Sequence, residues 1–224
     1  TLIEFHPDEK IFGKENIFSS SKLYHLCRSK AYLQSKVEIK WFCDKAYVEE
    51  KIPHEESIKF PGGILEAIES ELKGSKLITE SFFSGNSNLK KAEKAEWAIT
   101  WTTEEKNYIK SFCNTIPTPQ GGSHENALKN ALVRSVKSYS KLSKIKKGNI
   151  ILSEDIFTNM SFILSIYINN PQFQGQTKEK LVSPDNGKLL EATLKDNFDH
   201  WLTGNKKYAT KLIDFFVTNA EERI

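Results

Sequence analysis

Apolar positions recur with period two in some stretches of this chain and every three to four residues in others, so strands and helices share one sequence. Thr1-Leu2-Ile3-Glu4-Phe5 alternates as an edge strand over 1–5, closed by His6-Pro7-Asp8. One of Ser19, Ser20 and Ser21 caps a helix running to about residue 33, with Leu23, Leu26, Cys27 and Ala31 on one face. Val37, Ile39 and Trp41 alternate with Glu38 and Lys40, the pattern of a half-buried strand. Pro61-Gly62-Gly63 then breaks the chain before a short amphipathic helix over 64–72.

The stretch 74–95 is rich in Ser, Asn and Lys and reads as a surface loop. Trp97, Ile99 and Trp101 alternate with Ala98, Thr100 and Thr102. A polar turn, Thr103-Glu104-Glu105-Lys106, leads from there into a second run over 108–115, which predicts an antiparallel hairpin. Ser123 suits the N-cap of a long helix with Glu125 in its first turn and Leu128, Leu132, Val136, Tyr139 and Leu142 on one stripe. Other positions of that stretch hold Lys129, Arg134, Lys137, Lys141, Lys144, Lys146 and Lys147, and the sequence has no acid between Glu125 and Glu154. A helical turn over 153–159 precedes an apolar strand over 162–168, ended by Asn169-Asn170-Pro171. Ser183-Pro184-Asp185 starts a helix with Leu190, Leu194, Phe198, Trp201 and Leu202 inward, and Gly204 suits its stop. A last helix over 206–223 turns Tyr208, Leu212, Phe215 and Phe216 inward. With no internal repeat and no low-complexity tract, this mixture with a helical end is α+β.

The 224 residues, 38% of them hydrophobic, suffice for one sizeable core or two small ones. Charged residues make up 27% with a net charge of +3, which excludes a disordered tail and a uniformly basic nucleic-acid binder. No apolar run approaches the roughly 20 residues that span a bilayer, and no secretory signal opens the chain. Cys27, Cys43 and Cys113 are widely spaced and read as reduced, mostly buried thiols of a cytosolic protein. A chain that opens on Thr1, inside a strand pattern, is expected of an excised domain.

Catalytic constellations are absent from the sequence. Gly121-Gly122 lacks the Gly-Lys-Ser/Thr ending of a phosphate loop and reads as a turn into a capped helix. His124 has no nucleophile or second histidine at an informative spacing and reads as a packing or helix-starting residue. Asp185, Asp196 and Asp199 have no obvious partner, and no carboxylate cluster suggests a metal site. The basic series from Lys129 to Lys147 is either a solvated helix face or a surface that meets a duplex backbone without reading bases. Gln176-Thr177-Lys178 sits in a loop opened by Pro171 and loosened by Gly175. It is either an ordinary polar loop or an amide and a long cation able to reach a terminal phosphate held by another domain.

Three blocks occur together: Phe5-His6-Pro7-Asp8-Glu9-Lys10-Ile11-Phe12, then Thr118-Pro119-Gln120-Gly121-Gly122-Ser123-His124-Glu125, then the stretch 171–181. With them the whole chain resembles the transducer region of the B subunits of bacterial type IIA topoisomerases. It resembles the topoisomerase IV branch more than the gyrase branch, through Arg28-Ser29-Lys30-Ala31, Glu96-Trp97-Ala98 with Trp101, Ile116-Pro117 before the second block, and Pro171-Gln172-Phe173. The resemblance implies a single transducer domain over 1–224, with an ATPase domain upstream and a metal-binding TOPRIM region downstream, both absent from this chain. It implies a mixed sheet with a left-handed βαβ crossover, an exception to the usual hand.

The resemblance also implies that Lys178 bonds the γ-phosphate of ATP in the neighbouring domain and supports catalysis there, with Gln176 beside it and Thr177 holding the loop. Lys129, where many relatives carry Arg, with Arg134 and Lys137, would line a cavity that DNA crosses. ATP and Mg²⁺ belong to the intact enzyme, held mainly by the missing domain, and the fragment itself is expected to hydrolyse no ATP. The implied partners are DNA, the topoisomerase IV A subunit, the ATPase domain and a second copy of the same subunit, in the cytoplasm and away from membranes. The rivals are the equivalent gyrase domain and a non-enzymatic basic DNA-binding module.

Overall fold

A computed structural model describes residues 1–13, 17–90, 92–105 and 107–224. The chain falls into two compact units, Thr1–Gly63 and Ile64–Ile224, within the stretch 1–224 for which the resemblance implies one transducer domain and composition allows one core or two.

In the first unit, a four-residue helix α1 (Glu9–Phe12) precedes α2 (Ser20–Leu33) and an antiparallel pair, β1 (Ile39–Phe42) and β2 (Glu55–Ile58). Ser19 caps α2, its side chain accepting from the Lys22 N–H at 3.2 Å while its hydroxyl donates to Glu49 at 2.7 Å. The inward face of α2 is set by rings more than by the expected aliphatic residues: Tyr24 and Tyr32 are buried with Ala31 and Leu33, Cys27 is half-buried, and Leu23 and Leu26 are exposed. Tyr24 packs edge-on against Trp41 of β1 at 5.6 Å, and Tyr32 against Phe60 at 5.9 Å. Rings of this size bury more area than Leu and claim the face. Val37 is exposed outside β1, whereas Trp41 is buried with its indole N–H donating to the Pro53 carbonyl at 2.8 Å.

No strand forms over 1–5. Those residues are exposed and unpaired, and Phe5 packs instead against Phe18 with ring centroids 5.6 Å apart. Alternation makes a strand only where another edge offers hydrogen bonds.

The second unit opens with the residues of α3 (Gly63–Glu71) that follow the boundary. Its five-stranded sheet has the order β3 (Phe83–Lys90), β4 (Glu93–Trp101), β7 (Met160–Tyr167), β5 (Ile109–Cys113), β6 (Ile116–Pro117). Helices α4 (Ser123–Leu142), α5 (Ser153–Phe157), α6 (Pro184–Gly204) and α7 (Lys206–Arg223) complete the unit. Strand β7 pairs antiparallel with β4 and parallel with β5, so the sheet is mixed and the fold α+β. The β5–β7 connection passes through β6, α4 and α5.

Two expectations fail here. Strands β4 and β5 do not form a hairpin, because β7 lies between them. Period-two alternation marks a strand but not its neighbours, and β7, buried along nearly its whole length, can only be an interior strand. Strand β3 also occupies part of the expected loop over 74–95. It is the outermost strand, so its outward positions Ser84, Asn86 and Asn88 stay polar, while Phe83, Gly85, Ser87 and Leu89 turn inward. A Cβ at Gly85 would lie 3.0 Å from the Trp97 ring, so the glycine admits the indole. Lys91, in that stretch, and Lys106, in the expected turn over 103–106, lie outside the described residues.

The core gathers Trp97, Ile99, Trp101, Phe162 and Leu164 of the sheet against Leu128, Leu132 and Val136 of α4 and Leu190, Leu194, Phe198 and Leu202 of α6. Leu212 and Phe216 of α7 join them, while Trp201, Tyr208, Phe215 and Tyr139 are half-buried and Leu142 is exposed. Asn205 ends α6 and caps α7, its side chain accepting from the Tyr208 N–H at 3.3 Å. All three cysteines are free. Cys113 alone is buried, which pushes its thiol up to about 12; Cys27 and Cys43 are half-buried.

A candidate phosphate arm and basic groove

Gln176, Thr177 and Lys178 stand exposed at the tip of the loop between β7 and α6. The loop closes on itself: the Gln174 N–H donates to the Lys180 carbonyl at 2.9 Å and the Val182 N–H to the Gln172 carbonyl at 2.8 Å. Gly175 and Lys178 take positive φ, 79° and 59°, which turns the tip back on itself. The Lys178 Nζ lies 5.9 Å from the Phe173 ring centroid, a contact within its own loop. At a 5.9 Å separation on an exposed side chain this attraction is weak, and the arm is free to extend.

The base of the loop rests on the segment that opens α4. The Gln120 N–H donates to the Glu179 carbonyl at 3.0 Å, the Leu181 N–H to Gly121 at 3.0 Å and the Ser123 N–H to Leu181 at 2.9 Å. Ser123 does not cap the helix: Gly122 holds that position, and the Ser123 hydroxyl accepts the Ser183 N–H at 3.1 Å. The Ser183 hydroxyl accepts the Gln172 N–H at 3.0 Å instead of capping α6. Both serines therefore serve the loop.

Beneath the turn lies a buried polar chain. Ser111 donates to Glu125 at 2.6 Å and shares a 2.7 Å bond with Thr118, whose hydroxyl lies 3.0 Å from His124 Nε2. His124 is a packing residue, 1% exposed, and burial pushes its imidazole down to about 4.

Lys129, Arg134 and Lys137 line one groove of about 700 Å³ between α4 and α5, together with Asn126, Asn130 and Phe157. Two acids meet these cations, one from the first turn of α4 itself and one from α6. Lys129 Nζ lies 4.0 Å from Glu125 Oε2, and Arg134 bonds Glu191 of α6 at 2.9 Å. Lys137 has no ion pair among the described residues and also borders a second cavity of about 480 Å³ with Lys141, Lys144 and Lys146. The cation end of each pair is open to solvent while the carboxylate is largely covered; such half-open pairs contribute about 1 kcal/mol, so phosphates could displace them.

The structure thus gathers Lys129, Arg134 and Lys137 in one groove and sets Gln176, Thr177 and Lys178 on a separate loop. Sequence reasoning misses Gln120 and Glu179 as a pair and Glu191 as the partner of Arg134, because nothing in the linear order links them. Among the described residues no group of three metal-binding side chains occurs, and no helix is long and apolar enough to cross a membrane.

Residues 63–224 match the family model described as DNA gyrase B. Over its full length the chain is 44% identical to the B subunit of DNA topoisomerase 4 from Rickettsia felis, covering 34% of that protein. It is 40% identical to the corresponding protein from Caulobacter vibrioides, covering 33% of it. The chain therefore spans about a third of the curated relatives it matches. Among solved structures, the topoisomerase IV ATP-binding domain of Francisella tularensis is similar with a TM-score of 0.73 at 26% identity, over 96% of this chain and 56% of that one. The 43K ATPase domain of Thermus thermophilus gyrase B gives 0.76 at 25%, over 97% and 57%.

Proposed function

The chain belongs to the DNA gyrase B family, and from that premise we propose that it is the transducer segment of a topoisomerase IV B subunit. In the intact enzyme it would couple ATP binding and hydrolysis to the passage of one DNA segment through another, in relaxation and decatenation. The topoisomerase IV branch is favoured by relatives of that name at 40–44% identity along the whole chain.

The transducer role falls on Ile64–Ile224. The family match begins at residue 63, beside the boundary between the compact units. The solved ATP-binding fragments match 96–97% of the chain, first unit included, and extend well beyond it. We read Thr1–Gly63 as an adjoining part of the ATP-binding domain. For the crossover from β5 to β7 we propose the left hand that the resemblance implies.

One observation carries the functional reading: an exposed Lys178 at the tip of a loop whose two ends are tied to the unit. Its donors, with the Gln176 amide, fit one side of a terminal phosphate but enclose none, so ATP and Mg²⁺ would be held mainly by the ATP-binding domain. ATP supplies the terminal phosphoryl group and its charge. Lys178 offsets that charge, and Gln176 donates beside it, holding the two domains in one orientation until the charge leaves. A charge-assisted bond contributes about 1.5–3 kcal/mol, enough to bias a domain equilibrium more than tenfold.

Lys129, Arg134 and Lys137 would meet the backbone of transported DNA without reading its sequence. The A subunit and a second copy of this one are the further partners proposed for the intact enzyme, in the cytoplasm.

The test is Lys178→Ala in the full-length protein, assayed with its A subunit. ATP turnover should fall roughly ten- to a hundredfold with the unfolding midpoint unchanged. Turnover equal to that of the parent would end the phosphate role.

A further inference from the structure

The Gly121-Gly122 turn lacks the ending of a phosphate loop, and the backbone donors of Gly121 and Ser123 are already engaged. The Gly121 N–H bonds the Thr118 carbonyl at 2.8 Å and the Ser123 N–H bonds Leu181 at 2.9 Å. Both glycines are buried. What the turn holds is the root of the loop that bears Lys178.

Gly122 and Leu181 form a parallel bridge so close that a Cβ on Gly122 would lie 2.1 Å from the Leu181 carbonyl oxygen and 2.6 Å from its nitrogen. Those are backbone atoms and cannot swing aside, and the φ of 134° at Gly122 independently demands glycine. Gln120 adds a second grip at the rim. Its backbone N–H bonds the Glu179 carbonyl at 3.0 Å and its amide donates to the Glu179 carboxylate at 2.7 Å. Lys178 is the residue immediately before this strip. Its own side chain and those of Gln176 and Thr177 make no hydrogen bond among the described residues.

The turn is itself braced from below. Thr118, Ser111 and Glu125 form a continuous set of bonds under it, and the Glu125 carboxylate packs so near Gly121 that a Cβ there would meet it at 2.7 Å. The fully buried Leu181 side chain pins the other strand of the strip into the core. A free tip on a braced root is the geometry of a pre-aimed arm, in which ordering of the loop is complete before its ligand arrives.

We propose that Gln120 and Gly122 are positioning residues for Lys178. They fix residues 179–181 so that the ammonium leaves the surface at one height and in one direction. This rests on the reading that Lys178 meets a terminal phosphate.

The experiment compares Gln120→Ala, Glu179→Ala, their double variant and Lys178→Ala in the full-length protein with its A subunit. It reads steady-state ATP hydrolysis and hydrogen exchange of the peptide covering 172–182. Each clasp variant should lower kcat/KM about three- to tenfold, less than Lys178→Ala, and the double should match either single. Exchange at the Leu181 amide should quicken in the clasp variants, and a further variant combining Gln120→Ala with Lys178→Ala should turn over no more slowly than Lys178→Ala alone. Gly122→Ala should be more severe; if it fails to fold, the clasp variants carry the test alone. Unchanged exchange and unchanged kcat/KM in Gln120→Ala overturn the proposal. So does faster exchange with a turnover loss confined to Lys178→Ala. Faster exchange with normal turnover in both Gln120→Ala and Lys178→Ala overturns the phosphate reading itself, and the positioning role with it.

Discussion

His124 closes the first turn of α4 with only Nε2 engaged, 3.0 Å from Thr118 Oγ1, and with Nδ1 buried and unpartnered among the described residues. Its folded pKa of about 4 lies below the ordinary 6.5, so the unfolded chain takes up the proton first as pH falls. The contribution of this residue to stability is complete above about pH 6.5 and is lost as pH falls towards 4, at up to about 1.4 kcal/mol per pH unit. Urea unfolding between pH 7 and pH 4.5 should show that loss, and His124→Gln should flatten the slope in this window. An identical slope in the variant would remove His124 as its source. At this scale the sequence was informative about exposure: a packing histidine and an exposed Gln176-Thr177-Lys178 are both seen. It was silent on partners, since Gln120 and Glu179 meet across 59 positions of chain.

Helix α6 delivers Phe198 into a cluster of rings, 4.8 Å from Phe83 and 6.2 Å from Trp101, fully buried. Phe198→Ala should cost about 3–5 kcal/mol in denaturant unfolding. Trp201→Ala, on the half-buried flank, should cost less, and equal costs would contradict this placement of the stripe. Helices α2, α6 and α7 were legible in sequence almost to their ends, because caps and 3.6-residue spacing are local signals. Strand β3 was hidden because an outermost strand needs apolar residues on one face only, and Gly85 supplies none. The order β4-β7-β5 was equally hidden: pairing between distant strands is settled by which runs are buried on both faces, and no local pattern encodes that.

In the second unit as a whole, α4 presents its first turn to the loop of Lys178 and its exposed flank to the basic groove. Lys129→Glu combined with Arg134→Glu should sharply reduce stimulation of ATP turnover by DNA in the intact enzyme. Their present partners Glu125 and Glu191 are half-buried, so the reversed charges should also lower the thermal midpoint, and the response to DNA is read relative to turnover without DNA. A normal response to DNA would leave the groove as plain solvated surface.

The far end of α7 is fastened just as firmly. The Arg223 guanidinium bonds both Asp155 oxygens, at 2.9 and 3.1 Å, and the Ile150 carbonyl at 3.1 Å. Burial alone would raise the Asp155 carboxyl, but Arg223 and the Leu152 N–H outweigh it and hold it below the usual range. The next residue, Ile156, accepts the Trp101 indole N–H at 2.7 Å. From the end of β4 to the last turn of α7 there is thus a continuous path of directed bonds and one peptide link. A twist applied to that final turn would reach Trp101, and its emission, isolated from that of Trp41, Trp97 and Trp201 by replacing those three with Phe, would act as a strain gauge.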